Sequence, residues 1–177
     1  MEKKPGMFPA FLREIESIRF DDLMIIDQNI FDDLTLQAKM SPRLRMSLDL
    51  RNSLEERSLR VLNAIEPGTM VPIHRHSLSS ETLVCIRGHF EVYFFDDSGV
   101  IVEVVNMAPG GVVLNVPIGR WHSYKSLESG TVLLECIDGK LDDLEERDVL
   151  YTLSRNDSLT TDFPVTFFPI FAVVSQK

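Results

Sequence analysis

Gly68-Thr69-Met70-Val71-Pro72-Ile73-His74-Arg75-His76, followed by Glu81 and Gly88, is the stretch that decides the fold. Side chains alternate along a strand, so His74 and His76 project from the same face. After a turn at Ser77–Ser80, Glu81 begins the next strand and can point into the same space. A second run, from Gly111 to Pro117-Ile118-Gly119-Arg120-Trp121-His122, delivers one more imidazole from the opposite half of the β-region. Neutral imidazoles and a carboxylate are ligands suited to first-row divalent metals. Four protein ligands around a six-coordinate ion leave two adjacent places for water, substrate or dioxygen. His-x-His alone is equally compatible with hydrogen-bonded core histidines. The complete set, His74, His76, Glu81 and His122, points to one divalent transition metal: iron, manganese, zinc or nickel.

Outward from this stretch, short apolar runs recur at Leu59–Ile65, Met70–His76, Thr82–Arg87, Phe90–Phe95, Val100–Met107, Val112–Val116, His122–Leu127 and Val132–Ile137. Turn formers such as Glu66-Pro67-Gly68, Asp96-Asp97-Ser98-Gly99 and Pro109-Gly110-Gly111 stand between them. Many short strands with no helix-length crossover predict an antiparallel sandwich or barrel. Arg43–Arg51 alternates, with Leu44, Met46, Leu48 and Leu50 on one face and Arg43, Arg45, Ser47, Asp49 and Arg51 on the other. It reads as a half-buried strand.

The chain before it has helical period. Phe8, Phe11, Leu12, Ile15 and Ile18 form one stripe over 8–20, and Asp27 can cap a second helix over Asn29–Lys39, stopped by Ser41-Pro42. Leu141–Leu150 is acidic and predicts a short helix; Thr161–Val174 is apolar but broken by Pro164 and Pro169, an extended tail that must be covered. The expected organisation is a helical segment over 1–40 packing on the barrel, the barrel itself over 41–140, and an extension over 141–177 that belongs to the same domain or to a dimer contact.

The residues already quoted match both signature motifs of the cupin superfamily, which the chain therefore resembles. Gly68, His74, His76, Glu81 and Gly88 satisfy G-x5-H-x-H-x4-E-x6-G. Gly111, Pro117, Gly119 and His122 satisfy G-x5-P-x-G-x2-H, with Ser126 where the second motif ends in Asn. Residues 89–110 separate the motifs, an interval suited to a single barrel. A narrower likeness rests on Ser41-Pro42-Arg43-Leu44-Arg45, Arg60-Val61-Leu62-Asn63-Ala64, Glu66-Pro67-Gly68-Thr69, His74-Arg75-His76 and Trp121-His122. These look like the WbuC family of cupin-fold metalloproteins, small bacterial proteins whose founding genes lie in clusters for O-antigen or surface-polysaccharide synthesis. The resemblance implies a mainly β, single-domain cupin, a double-stranded β-helix or jelly roll, with one metal and a tendency to form homodimers. A sugar or sugar nucleotide is the substrate class it suggests.

Other residues are weighed against plainer roles. Tyr124 shares parity with His122 and can donate a proton beside the metal or merely cap the pocket. Glu135 lies in an apolar strand, where it either orients a histidine or meets water at an edge. Arg45 can anchor an anionic substrate, although a charged strand face usually meets solvent or another subunit. Arg60 and Asn63 are also substrate-binding candidates, but three residues apart in one strand they face opposite sides, so only one can line the cavity. Trp121 faces away from His122, and His89 is expected at the surface. Cys85 and Cys136 make no disulfide framework and read as reduced core residues.

The 177 residues carry 18 basic and 27 acidic side chains, a net charge of −9, without the positive field that nucleic acid requires. Arg13, Glu14, Glu16 and Arg19 interrupt any signal-peptide core, and no stretch approaches the roughly 18 apolar residues that mark a membrane span. The expectation is a cytoplasmic metal-binding protein with a small-molecule substrate, an isomerase, epimerase or oxygenase if it is an enzyme. The alternative is a non-catalytic module that binds or senses a small molecule through its metal.

Overall fold

The computed structural model of the chain describes residues 19–20, 23–53, 55–69, 71–138 and 148–150. Asp27 opens the helix α1 (Gln28–Met40): its backbone is extended, and its carboxylate accepts from Asn29 N at 3.0 Å and Ile30 N at 3.3 Å. Two of the N–H groups a helix start leaves unpaired are thereby satisfied. Ile30, Phe31, Leu34 and Ala38 form the buried stripe. The helix expected over 8–20 lies outside the described residues except for its last two. These form β1 (Arg19–Phe20), paired antiparallel with β2 (Leu23–Met24). Asp21 and Asp22, which follow, are unfavourable at the negative end of a helix.

The barrel strands are β3 (Arg45–Asp49), β4 (Ser58–Ile65), β5 (Ile73–His74), β6 (Glu81–Arg87), β7 (Phe90–Phe95), β8 (Ile101–Met107), β9 (Val113–Val116), β10 (His122–Ser126), β11 (Thr131–Asp138) and β12 (Val149–Leu150). They make two five-stranded sheets, ordered β3-β4-β11-β6-β9 and β12-β5-β10-β7-β8, and neighbouring strands run antiparallel. From β4 to β7 consecutive strands alternate between sheets, β7 and β8 are neighbours, and alternation resumes to β11. With β3 and β12 set aside as additions at the two edges, this is the strand order of an eight-stranded jelly roll. The fold is the one the two motifs implied.

β4 is buried along nearly its whole length because both of its faces are covered. Ile65 joins Leu83, Phe90, Val92, Phe94, Met107 and Leu133 between the sheets, whereas Leu62 and Ala64 pack with Val132 beneath Phe31, Leu34 and Ala38 of α1. β3 follows the same division: Met46 and Leu48 lie under the helix, and Arg45, Ser47 and Asp49 pair in register with Ile65, Asn63 and Val61 on the inner side. Directly opposed residues share a face. The charged face of β3 thus turns inward, because the helix claims the apolar one. Arg87 fastens α1 to the sheet, reaching Asp32 Oδ1 at 2.6 Å, Thr35 Oγ1 at 3.0 Å and the Phe31 carbonyl at 3.1 Å.

Four expectations need correction. The strand expected over Met70–His76 is reduced to Ile73–His74, since Pro72 has no N–H to give a ladder. Of the helix expected over Leu141–Leu150, Val149 and Leu150 form β12, while residues 141–147 and the tail over 161–174 lie outside the described residues. His89 is half-buried, as is Cys136, while Cys85 lies in the core. Motif glycines have steric reasons: Gly88 has φ +79°, and a Cβ there would stand 2.7 Å from Thr131 Cα. No helix among the described residues is long and apolar enough to cross a membrane.

Candidate metal centre

Each of the four residues read from the motifs stands at or just beyond a strand end. His74 closes β5, His76 follows it, Glu81 opens β6 and His122 opens β10. Antiparallel pairing sets His122 directly opposite His74. The two sheets then bring Glu81 across: its Oε2 lies 2.9 Å from His122 Nε2 and 3.5 Å from His76 Nε2. One ligand atom from each of His74, His76, Glu81 and His122 can be chosen so that all lie within 4.8 Å of one another. His74, Glu81 and His122 are buried, and His76 is nearly so.

The hydrogen bonds decide which imidazole nitrogens are available. His74 Nδ1 is 3.0 Å from the Pro72 carbonyl, and His122 Nδ1 is 2.9 Å from the Arg120 carbonyl. A carbonyl only accepts, so in both rings Nδ1 donates; Nε2 is left to face the cluster, in His74 with its lone pair and in His122 as the donor to Glu81 Oε2 at 2.9 Å. Such bonds from the outer nitrogen are how proteins orient metal-binding histidines.

The electrostatics follow from crowding these groups out of water. Burial pushes the His74 pKa down to about 3, and the neighbouring charges of His122 and His76 add to the effect. Burial alone would raise Glu81, but the hydrogen bond from His122 and the nearness of the His122 and His76 imidazoles hold it well below the usual carboxylate range. His122 is raised: burial opposes its charge, and the bond to Glu81 outweighs burial. His76 Nε2 is buried without a hydrogen-bond partner, 3.5 Å from Glu81 Oε2. A buried donor or acceptor left unpaired costs about 1–3 kcal/mol, and a cation among these four groups would remove that cost. The donor set of three imidazoles and a carboxylate fits a first-row divalent ion.

Further inside lies a second polar group. Tyr124 donates to Glu135 Oε1 at 2.6 Å, and both residues are buried. Burial, then the charge of Glu81, pushes the Glu135 pKa up to about 8; burial and Glu135 raise Tyr124 well above the phenol range. Asn63 projects from the inner face of β4, accepts from Ser47 Oγ, and keeps a buried Nδ2 with no partner at hydrogen-bond geometry. Arg45 is only 7% exposed, and its charge acts on Tyr124.

Arg60 must be withdrawn from the cavity. It shares parity with Leu62 and Ala64, which face the helix, and pairs with Glu56 on the outer side. Of the two candidates on β4, alternation gives the inner face to Asn63. Ser47 joins the site without any signal in the sequence, where nothing marks the charged side of β3 as interior. Ser126 also turns out to be buried, but bonds to the Glu128 carbonyl in its own turn.

Residues 26–107 match a family described as "Domain of unknown function (DUF6016)". No curated protein matches the chain. Among solved structures, KdgF from Halomonas sp. is similar at 17% identity and TM-score 0.48, covering 58% of this chain and 86% of that one. TT1209 from Thermus thermophilus is 23% identical with TM-score 0.46, covering 56% and 88% respectively. Oxalate decarboxylase from Bacillus subtilis is 22% identical with TM-score 0.45, over 61% of this chain and 27% of that one.

Proposed function

We propose that this chain is a metal-binding cupin that uses one divalent transition ion, held by His74, His76, Glu81 and His122, to act on a small molecule. The observation that carries the reading is the convergence of four donors from both sheets, with two histidine Nδ1 atoms already committed to carbonyls and a buried His76 nitrogen left without a partner. Such an ion would supply Lewis-acid polarisation of a bound oxygen, or a site for dioxygen. The chain itself contributes a proton store. Burial favours the protonated form of the Glu135 carboxyl in the metal-free chain, and the Tyr124 hydroxyl that donates to it would relay its proton toward the site. On this reading Arg45 and Asn63 bind polar or anionic parts of a substrate; their positions on the inner faces of β3 and β4 support it. A sugar or sugar nucleotide of surface-polysaccharide synthesis, and a homodimeric state, belong to this proposal on the sequence resemblance alone.

The second reading is a module that binds its ligand through the metal without turnover. It is favoured by the burial of Tyr124 in the core against Phe90, where the phenol's hydrogen bond is already used by Glu135.

Elemental analysis of protein purified without chelator tests the shared claim. The expected result is close to one transition-metal ion per chain, lost in His76→Ala and His122→Ala while the β-sheet circular dichroism is kept. Metal content unchanged in both variants would overturn it. Incubating iron-, manganese- and zinc-loaded protein with a panel of sugar nucleotides then separates the readings: conversion supports the enzyme, and tight binding without turnover by any form supports the module.

A further inference from the structure

β5 is only two residues long, yet it carries His74 and leads directly into His76. A ladder so short cannot by itself fix two ligands, and it is gripped from both edges: His74 pairs with His122 of β10 on one side and with Val149 of β12 on the other. The residue before β12, Asp148, has no exposed surface. Its carbonyl accepts from Arg75 N at 2.9 Å, and its Oδ1 accepts from Arg75 Nε at 3.3 Å and from Ser77 Oγ.

Arg75 and Ser77 are the two residues that flank His76. Both are therefore tethered to one buried carboxylate 71 to 73 positions away in sequence. The tether continues toward the other ligand strand. The Arg75 guanidinium lies 4.4 Å from the centroid of the Trp121 ring, immediately before His122, and Trp121 Nε1 donates to Asp97 Oδ1 at 3.0 Å. The ring's quadrupole attracts a cation held over its face in this way.

We infer that Asp148, acting through Arg75 and Ser77 and through the Arg75–Trp121 stack, is a positioning residue that holds the His74–His76 segment against His122 in the spacing a metal ion needs. The inference rests on the metal reading of the four-residue cluster. His76 is the ligand most dependent on it. It lies beyond the end of β5, its backbone carbonyl accepts from Gly119 N at 2.9 Å, and the side chains on either side of it both end on Asp148. Loosening of residues that support metal ligands typically weakens binding ten- to a hundredfold.

The test is a cobalt(II) titration of the full chain, stripped of metal by a chelator, followed by visible absorbance. Asp148→Ala is expected to weaken cobalt binding about tenfold or more and to alter the cobalt absorption envelope. Arg75→Ala should act in the same direction. Asp148→Asn keeps an oxygen acceptor for Arg75 and Ser77 and should recover most of the affinity and the native envelope, a rescue that mere loss of packing would not produce. The double variant should lose less than the sum of the two single losses, because the residues act as one unit. Affinity and spectrum unchanged in both single variants overturn the inference and leave the metal reading standing. Should Asp148→Ala not fold, Arg75→Ala decides, since its side chain is 31% exposed and its removal leaves the core intact; an unchanged cobalt constant there overturns the inference. Absence of cobalt binding by the unaltered chain overturns the metal reading and this inference with it.

Discussion

Two buried ionisable residues respond to pH in opposite directions. Glu135 is raised from the ordinary 4.5 to about 8 in the folded chain. The folded state therefore favours its proton, and the associated stability is present below pH 4.5 and lost as pH rises toward 8. Glu135→Gln has no proton to lose and can still accept from Tyr124. In metal-free protein the variant should gain on the unaltered chain by more than about 1 kcal/mol between pH 5 and pH 8, as read from urea midpoints. A difference independent of pH would show that Glu135 is ionised in the fold. His74 behaves the other way: lowered from 6.5 to about 3, it contributes stability that is present above pH 6.5 and lost as pH falls toward 3. Metal-free protein should show an acid limb of destabilisation beginning near pH 6.5, and His74→Gln should flatten it. Residue identity alone shows that these groups can titrate. The directions of their shifts depend on burial that no single position reveals.

Elements show how far periodicity reaches. The pattern predicts α1 over Asn29–Lys39 and the helix spans Gln28–Met40, because a cap, an apolar stripe and a proline stop all agree along one short stretch. Asp27→Ala removes the acceptor for two backbone N–H groups and should lower stability by about 1 kcal/mol in urea denaturation, with little effect on metal content. β3 is equally legible as an alternating strand, but which face is interior is not. Alternation divides residues into two sets without saying which set meets the core. Here the answer comes from α1, which covers Met46 and Leu48 and leaves Arg45, Ser47 and Asp49 on the inner side. β5 is shorter than its apolar run for a local reason, Pro72. Val149 and Leu150, the end of the helix expected over 141–150, pair with β5 for a distant reason, an open edge that the local pattern does not display.

At the scale of the whole molecule, the site joins parts that would otherwise be held only by the core. His74, His76 and His122 belong to one sheet and its margin, and Glu81 belongs to the other. A metal bound by all four ties the two sheets at the mouth and exists only in the folded state, so its binding adds directly to stability. At a free metal concentration one hundred times the dissociation constant, the gain is about 2.7 kcal/mol. Zinc or manganese should therefore raise the thermal midpoint by roughly 5–10 °C, reversibly with chelator, and Glu81→Gln should shrink that increment. A midpoint indifferent to every divalent ion tried would oppose the proposed centre.

The four candidate ligands and the antiparallel β class were legible in one dimension, because period two, glycine-bounded turns and histidine spacing are local properties of the chain. Tertiary structure decided what depends on distance across it: the inward turn of Arg45, the exclusion of Arg60, the bond between Tyr124 and Glu135, and the grip of Asp148 on the strand of His74. Those contacts arise because two sheets and a helix compete to cover the same surfaces. The winner is set by packing in three dimensions, which the order of residues constrains but does not display.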